Sequence, residues 1–310
     1  MRNVFADVIK SPNKIAFGLT NLGLTKWMSD ETYLKWLFKL TFKRKLDLDN
    51  PVTLNEKLQW LKLYDRNPKY TELVDKYEVK KYIADKLGEE YIIPTLGVWD
   101  RFEDIDFGSL PDQFVLKCTH DSGGLVICKD KSKLDLSQAK KKIEKSLRSN
   151  FFWRGREWPY KDVKPRIIAE QYMTDPSGDL PDYKIHNFNG EPKLVLVCRD
   201  RFNGHGLTED FFSENWEHID VKRPSLSNSS EEIKKPERLQ EILELSRILS
   251  KDIPFVRTDF YEIGGKVYFG EITFYPASGF SEFEPEINDK NFGDWITLPK
   301  KPSESNGEQK

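Results

Sequence analysis

Apolar residues recur at helical spacing through the first quarter of the chain. In TYLKWLFKLTF, Leu34, Leu37, Phe38 and Phe42 fall on one face of a helix. Asn50-Pro51 breaks that pattern. Thr53, with Glu56 three residues on, then carries a capping-box signature at the head of a second helix, NEKLQWLKLYD, ended by Pro68. Its spacing predicts that Leu58, Leu61 and Trp60/Tyr64 point inward. A third helix is predicted from about Tyr70 to Leu87, with Gly88 as its stop. After that the period drops to two. Short β-rich runs follow: EYIIPTLGVW, a hairpin QFVLKCTH/LVICKD around a glycine loop, and RIIAEQYM leading to a turn at Asp175-Pro176-Ser177-Gly178. SQAKKKIEKSLRSNFFW, between the hairpin and RIIAEQYM, reads as a basic amphipathic helix. DYKIHNF and PKLVLVCRDR flank Asn189-Gly190, a strong hairpin turn. Residues 201–235 are polar and read as a long loop. A helix, PERLQEILELSRILSK, then precedes a last hairpin, FVRTDFYEI/KVYFGEITFYP, and the stretch after Pro299 has no apolar residue and reads as a disordered tail.

Composition narrows the classes. The 310 residues carry 49 Lys+Arg and 51 Asp+Glu, a net charge of −2, which argues against a polycation or an acidic tail as the main function. An aromatic share of 13% excludes a disordered chain. No apolar run approaches the ~18–20 residues of a membrane span, and the N-terminus lacks the apolar core of a signal peptide. Cys118, Cys128 and Cys198 fit no metal or redox spacing, so Cys118 and Cys128, in apolar strand-like runs, are expected to be buried free thiols. The expected location is the cytoplasm.

Four constellations could carry chemistry. In the last hairpin, alternation puts Arg257 with Asp259 on one face and Glu271 with Thr273 on one face. A three-residue loop with a glycine bulge would set Asp259 opposite Glu271, whereas a plain two-residue turn would not; the bulged loop is the expectation. Two facing carboxylates call for a cation between them, and oxygen ligands of this kind suit Mg²⁺ with phosphates. The alternative is an exposed charged face. Lys117, at the end of an apolar strand, precedes His120-Asp121-Ser122-Gly123-Gly124, whose backbone could cradle phosphate or simply turn a hairpin. Asp182, Lys184 and His186 share a strand face. FFWRGREWPYKDVKPR interleaves cations with aromatics, as a nucleic-acid, nucleotide or sugar surface does, and as a packed loop does. No nucleophile elbow and no HExxH is present.

Taken in order, these pieces resemble the ATP-grasp superfamily, and more closely the TupA-like ATP-grasp family of bacterial surface-polysaccharide proteins. The resemblance rests on TLNEKLQWLKLYD, DKYEVKKYI, FVLKCTHDSGG, REWPYKDVKPRIIAEQYM, DYKIHNFNGEP and FVRTDFYEIGGKVYFGEITFYPASGF, and covers nearly all of residues 50–295. It implies an α+β ATP-grasp fold: two α+β lobes clasping ATP, with an N-terminal helical region. The implied division is 1–74 helical, 75–110 preceding the ATP-grasp unit, 111–174 the small lobe, 175–299 the large lobe with the Mg²⁺ site, and 300–310 the tail.

By the same resemblance, Lys117 and Lys184 contact phosphates, and His120, Asp121, Ser122, Gly123 and Gly124 form the loop closing over them. Asp182 belongs with Lys184 to the nucleotide site, while Glu170, Gln171, Tyr172 and Met173 form the linker that reads adenine. Asp259, Glu271 and Thr273 hold Mg²⁺, with Thr273 where Asn is common in the superfamily, and Arg257 lies near the transferred phosphoryl group. Lys80 or Lys81 could also face the nucleotide. The implied activity is an ATP-dependent carboxylate–amine ligase acting through an acyl phosphate, joining an amino acid to a uronic-acid carboxylate in polysaccharide biosynthesis. The rival readings are a glycosyltransferase, an ATP-dependent sugar kinase, and a non-catalytic glycan- or nucleic-acid-binding module; the leading one expects no nucleic-acid partner.

Overall fold

The computed structural model describes residues 16, 18–20, 23–175, 180–199, 207–224 and 226–301. Three helices come first: α1 (Asp30–Phe42), α2 (Leu54–Tyr64) and α3 (Lys69–Val74). The capping box forms as predicted: the Glu56 carboxylate accepts from the Thr53 N–H at 3.0 Å, and the Thr53 hydroxyl oxygen accepts from the Glu56 N–H at 3.3 Å. The single helix predicted from Tyr70 to Leu87 is two. Asp75 is extended, and its carboxylate accepts from the N–H groups of Tyr77 and Glu78, so it stops α3 and starts α4 (Glu78–Lys86).

Two antiparallel sheets follow. The smaller holds β1 (Thr95–Trp99), β2 (Phe114–Cys118), β3 (Leu125–Cys128) and β4 (Ile167–Gln171) in the order β1-β4-β2-β3. Its edge strand β1 thus comes from the 75–110 stretch, outside the span read as the small lobe. Between β3 and β4 lie α5 (Leu136–Leu147) and the single turn α6 (Phe152–Gly155). The larger sheet has the order β10-β9-β5-β6-β7-β8, with β5 (Asp182–Phe188), β6 (Glu191–Arg199), β7 (Thr208–Ser213), β8 (His218–Ile219), β9 (Phe255–Ile263) and β10 (Lys266–Thr273). Helix α7 (Leu239–Ser250) packs on β5, β6 and β9, and α8 (Ile287–Asp294) packs on α2.

One sequence expectation changes and another lies outside the described residues. Residues 201–235 contain strands β7 and β8. Their charges hid them: Glu209 and Asp210 are buried, held by Arg223 and by the Ser229 N–H. Helix α8 gave no signal that was read. The segment predicted as a disordered tail is described only at Lys300 and Lys301; residues 302–310, like most of the Asp175–Gly178 turn, lie outside the described residues. All three cysteines are buried and free.

Two separate apolar cores result. One joins the N-terminal helices to the larger sheet, and the other lies between the smaller sheet and α5. Among the described residues no helix is long and apolar enough to cross a membrane.

Candidate active site

The β9–β10 hairpin places the carboxylates. Its turn is the two-residue kind: Ile263 pairs with Lys266, and Gly264 (φ 56°) and Gly265 (φ 72°) both take the left-handed backbone that favours glycine. The predicted three-residue loop is therefore wrong. Asp259 nevertheless faces Glu271, because the register shifts by one between Phe269 and Glu271. Gly270 is the inserted residue, and its absent side chain matters: a Cβ there would lie 3.1 Å from the Asp259 carbonyl oxygen. The shift also aligns Thr273 with Arg257.

Strand β5 supplies the next row. Lys184 pairs with Asp259 and His186 with Arg257, so all these side chains stand on one face. Lys184 donates to Asp259 and lies 2.5 Å from Asp182. Arg257 donates through Nε to Asp259 Oδ1 at 2.7 Å. Its Nη2 lies 2.8 Å from Asp259 Oδ2, 2.9 Å from Glu271 Oε1 and 3.1 Å from Thr273 Oγ1. Three oxygens thus converge on one cationic nitrogen.

Burial works against every charge here, and opposite charges nearby oppose it. It disfavours the Lys184 ammonium and the Arg257 guanidinium, but the carboxylates around them more than compensate, and both are raised. Burial pushes the Asp259 carboxyl up, opposed by Arg257 and Lys184. Burial also opposes the Glu271 carboxylate, but Lys76, Arg257, Lys184 and Lys117 outweigh it and hold that group at about 2. His186 is pushed well below its ordinary value by burial and then by Arg257 and Arg223, so it is neutral at neutral pH.

The smaller sheet brings a second cluster. Glu170, on β4, is 5% exposed and bridges two lysines: Lys117 at 2.5 Å and Lys80 at 2.6 Å. The structure thereby separates Lys80 from Lys81, which is exposed. Lys117 keeps its proton more firmly than usual, because Glu170 outweighs burial, whereas burial leaves Lys80 lowered. The charges of Glu271 and Asp182, on the larger sheet, add to the rise of Lys117.

The glycine loop is less free than a closing loop would be. His120 turns inward, its Nε2 lying 3.1 Å from the Ser146 carbonyl oxygen and 3.2 Å from that of Ser149. Asp121 accepts from the Ser146 hydroxyl and from the Gly124 N–H at 3.1 Å. Ser122 and Gly123 are exposed, while Gly124 packs closely on Cys118 and Ser146. In the linker, Gln171 is exposed at the end of β4, its N–H donating to the Pro94 carbonyl at 3.0 Å; Tyr172 and Met173 follow, half-buried.

Sequence reasoning missed Lys76, whose ammonium donates to the Asp121 carbonyl and whose charge acts on Glu271. Its one signal was its place in DKYEVKK, four residues before Lys80. Residues 151–166 are mostly packing rather than a binding surface. Arg156 is 1% exposed, and its guanidinium lies over the rings of Tyr33, Phe152 and Trp153. A nucleic-acid surface there loses its aromatic platform.

The donor chemistry fits a hard divalent cation. Two carboxylates and a hydroxyl meet at the point taken by Arg257 Nη2. Among the described residues no three His, Cys, Asp or Glu side chains are grouped to hold a metal by themselves. A cation could take this point only with the Arg257 guanidinium moved off it, and it would then complete its shell with phosphate and water oxygens.

A family model described as TupA-like ATPgrasp matches residues 56–297. The chain belongs to the TupA-like ATP-grasp family. The two antiparallel sheets with their helices are accordingly an α+β ATP-grasp fold. Among solved structures, the chain is similar to the D-alanine–D-alanine ligase of Bacillus anthracis in complex with ATP, at 18% identity and a TM-score of 0.41, over 72% of this chain and 64% of that one. It is similar to the corresponding ligase of Helicobacter pylori at 17% identity and a TM-score of 0.40, over 79% and 69%. A RimK domain ATP-grasp protein of Sphaerobacter thermophilus follows at 11% identity and a TM-score of 0.40, over 75% and 70%. The chain thus spans about two thirds of the length of these proteins. Among curated proteins none matches.

Proposed function

We propose that the protein is an ATP-dependent carboxylate–amine ligase of bacterial surface-polysaccharide biosynthesis, working in the cytoplasm. The acceptor would be a hexuronic-acid carboxylate on a sugar or glycan, and the amine an amino acid. The observation that carries this reading is the convergence of Asp259, Glu271 and Thr273 on one cation position beside Lys184. A second set of lysines, Lys117 on β2 and Lys80 on α4, is bridged by Glu170 of the smaller sheet. Polyphosphate between two sheets needs that arrangement of charge.

Asp259, Glu271 and Thr273 would hold Mg²⁺, which supplies positive charge against the phosphates. Lys184 and Lys117 bind phosphate oxygens from the two sides. Arg257 stabilises the charge that develops on the transferred group. In the first step the acceptor carboxylate oxygen bonds to the γ-phosphorus, the bond to the β,γ-bridging oxygen breaks, and ADP leaves with an acyl phosphate formed. In the second, the amine nitrogen bonds to the carbonyl carbon, the acyl C–O bond breaks, and phosphate departs carrying the proton that the nitrogen loses. Water must be kept out between the steps, because it would hydrolyse the acyl phosphate. The linker Glu170–Met173 would read adenine, and the His120–Gly124 loop would cover the phosphates through its exposed part, Ser122 and Gly123.

The test is an ADP-release screen of Mg·ATP with amino acids against uronic-acid acceptors. Release that needs both a uronate and an amine is the expected result. Release with a sugar alone would point to a kinase instead, and no ATP turnover with any pair would overturn the ligase reading.

A further inference from the structure

Helix α2 buries a polar face as well as its apolar one. Asn55, Gln59 and Lys62 stand at i, i+4 and i+7, so they form one row, and each is at most 1% exposed. Buried polar groups must find partners. Here the partners are mainly the backbone of one short segment, the turn that leaves strand β10. Asn55 donates to the Ser281 carbonyl at 2.7 Å and accepts from the Ser281 N–H at 3.1 Å. Gln59 donates to the Gly279 carbonyl at 2.7 Å. Lys62 donates to three oxygens: Ser278 O at 2.7 Å, Gly155 O at 2.7 Å and Gln59 Oε1 at 2.9 Å. Its three N–H donors therefore have three acceptors.

The gripped segment is strained. Ala277 (φ 48°), Ser278 (φ 55°) and Gly279 (φ 63°) are all left-handed, and two of them are not glycine. A Cβ at Gly279 would lie 2.5 Å from Gln59 Nε2, so the turn and the helix touch too closely for any other residue. The segment begins just beyond Thr273, the last residue of β10. The Ser278 hydroxyl donates to Glu157, and the Glu157 carboxyl feels both Lys62 and Arg257. One ammonium thus joins three pieces: helix α2, the turn after β10, and the segment carrying Glu157.

We propose that the Asn55–Gln59–Lys62 row is the positioning device of the cation site, with Lys62 at its centre. By holding the strained turn, it sets where β10 ends and hence how Glu271 faces Asp259 and Thr273 faces Arg257. These residues touch no reacting atom; they act through β10. The proposal rests on the assignment of Asp259, Glu271 and Thr273 to a divalent cation.

The test is nucleotide binding by the full chain, followed by calorimetry, which needs neither acceptor nor amine. ATP affinity is measured in EDTA and across a Mg²⁺ titration for wild type, Lys62→Met and Gln59→Leu. Leu245→Ala, in α7, serves as a destabilised control outside the site. The expected result is a rise of about tenfold in the Mg²⁺ concentration at half-effect for the two row variants, equivalent to about 1.4 kcal/mol. Their affinity in EDTA should stay at the wild-type level, and the control should keep the wild-type Mg²⁺ midpoint. Should Lys62→Met fail to fold, Gln59→Leu decides alone, since it leaves the ammonium in place. Row variants with the wild-type midpoint, or a control shifted as much as they are, would overturn the proposal. A wild-type protein that binds ATP with no Mg²⁺ effect would overturn it together with the cation assignment. Neither result depends on the choice of sugar or amino acid.

Discussion

The Gly270 bulge can be attacked with a single methyl group. In Gly270→Ala the new Cβ would meet the Asp259 carbonyl oxygen at 3.1 Å, its carbonyl carbon at 3.4 Å and Tyr261 Cε2 at 3.2 Å. The tyrosine ring can swing aside, but the Asp259 backbone is held by its pairing in the ladder. The methyl is then accommodated either by pushing β9 and β10 apart or by moving the bulge. Overpacking of this kind costs about 1–3 kcal/mol. A one-residue slip would do more than destabilise, because it would send Glu271 and Thr273 to the opposite face. The turn of the same hairpin supplies the comparison. Gly265→Asn changes a left-handed position with nothing within 4 Å of its Cβ, and Asn tolerates that backbone at a cost within about 1 kcal/mol. Thermal melting and a Mg²⁺ titration of nucleotide binding separate the two. Gly270→Ala should lose most of the Mg²⁺ dependence, while Gly265→Asn should keep it at a similar melting temperature. Wild-type Mg²⁺ dependence in Gly270→Ala would refute the bulge as the device that pairs Asp259 with Glu271.

Glu271→Gln should abolish Mg·ATP turnover while circular dichroism stays native; unchanged turnover removes Glu271 from the cation site. The same variant tests the charge argument. Glu271 sits at about 2 against an ordinary 4.5, so its charge stabilises the fold fully above that ordinary value, and the contribution is lost as pH falls toward 2. Melting curves of Glu271→Gln should therefore fall less steeply over this acid range; superimposable acid limbs would contradict the pairing. Lys117→Ala should weaken nucleotide binding in calorimetry, and unaltered affinity would move the phosphate site off β2.

What could be read in the chain was local. The Thr53–Glu56 capping box and the Asn189-Gly190 turn involve neighbours a few residues apart, and both formed as expected. The facing of Asp259 and Glu271 was anticipated through the wrong device, since strand alternation does not say where in a hairpin the extra residue sits. The spacing of the helix picked out Leu58, Leu61 and Trp60/Tyr64 as inward but not the row Asn55, Gln59, Lys62. Its partner turn lies more than 200 residues further on, and no local pattern announces it. Strand β7 was hidden for a similar reason: Glu209 and Asp210 read as solvent-facing, and only Arg223 and the Ser229 backbone make their burial tolerable. Lys76 was passed over in a run of cations, and in the same run Lys80 could not be told from Lys81.

The division into two apolar cores also bears on the order in which the protein is made. The core under the smaller sheet draws on residues between Phe102 and Ala169, nearly contiguous in the chain. The other core needs both ends: Asn55, on α2, bonds to Asp289, 234 residues later. A growing chain can therefore close the central core while its first helices have only residues 151–163 and one another to pack on, and most of their partners come with the larger sheet, the last hairpin and α8. Limited proteolysis of a chain stopped at residue 175 should then spare residues 102–169 and cut residues 30–74. Equal protection of both stretches would mean that the early helices fold without their distant partners.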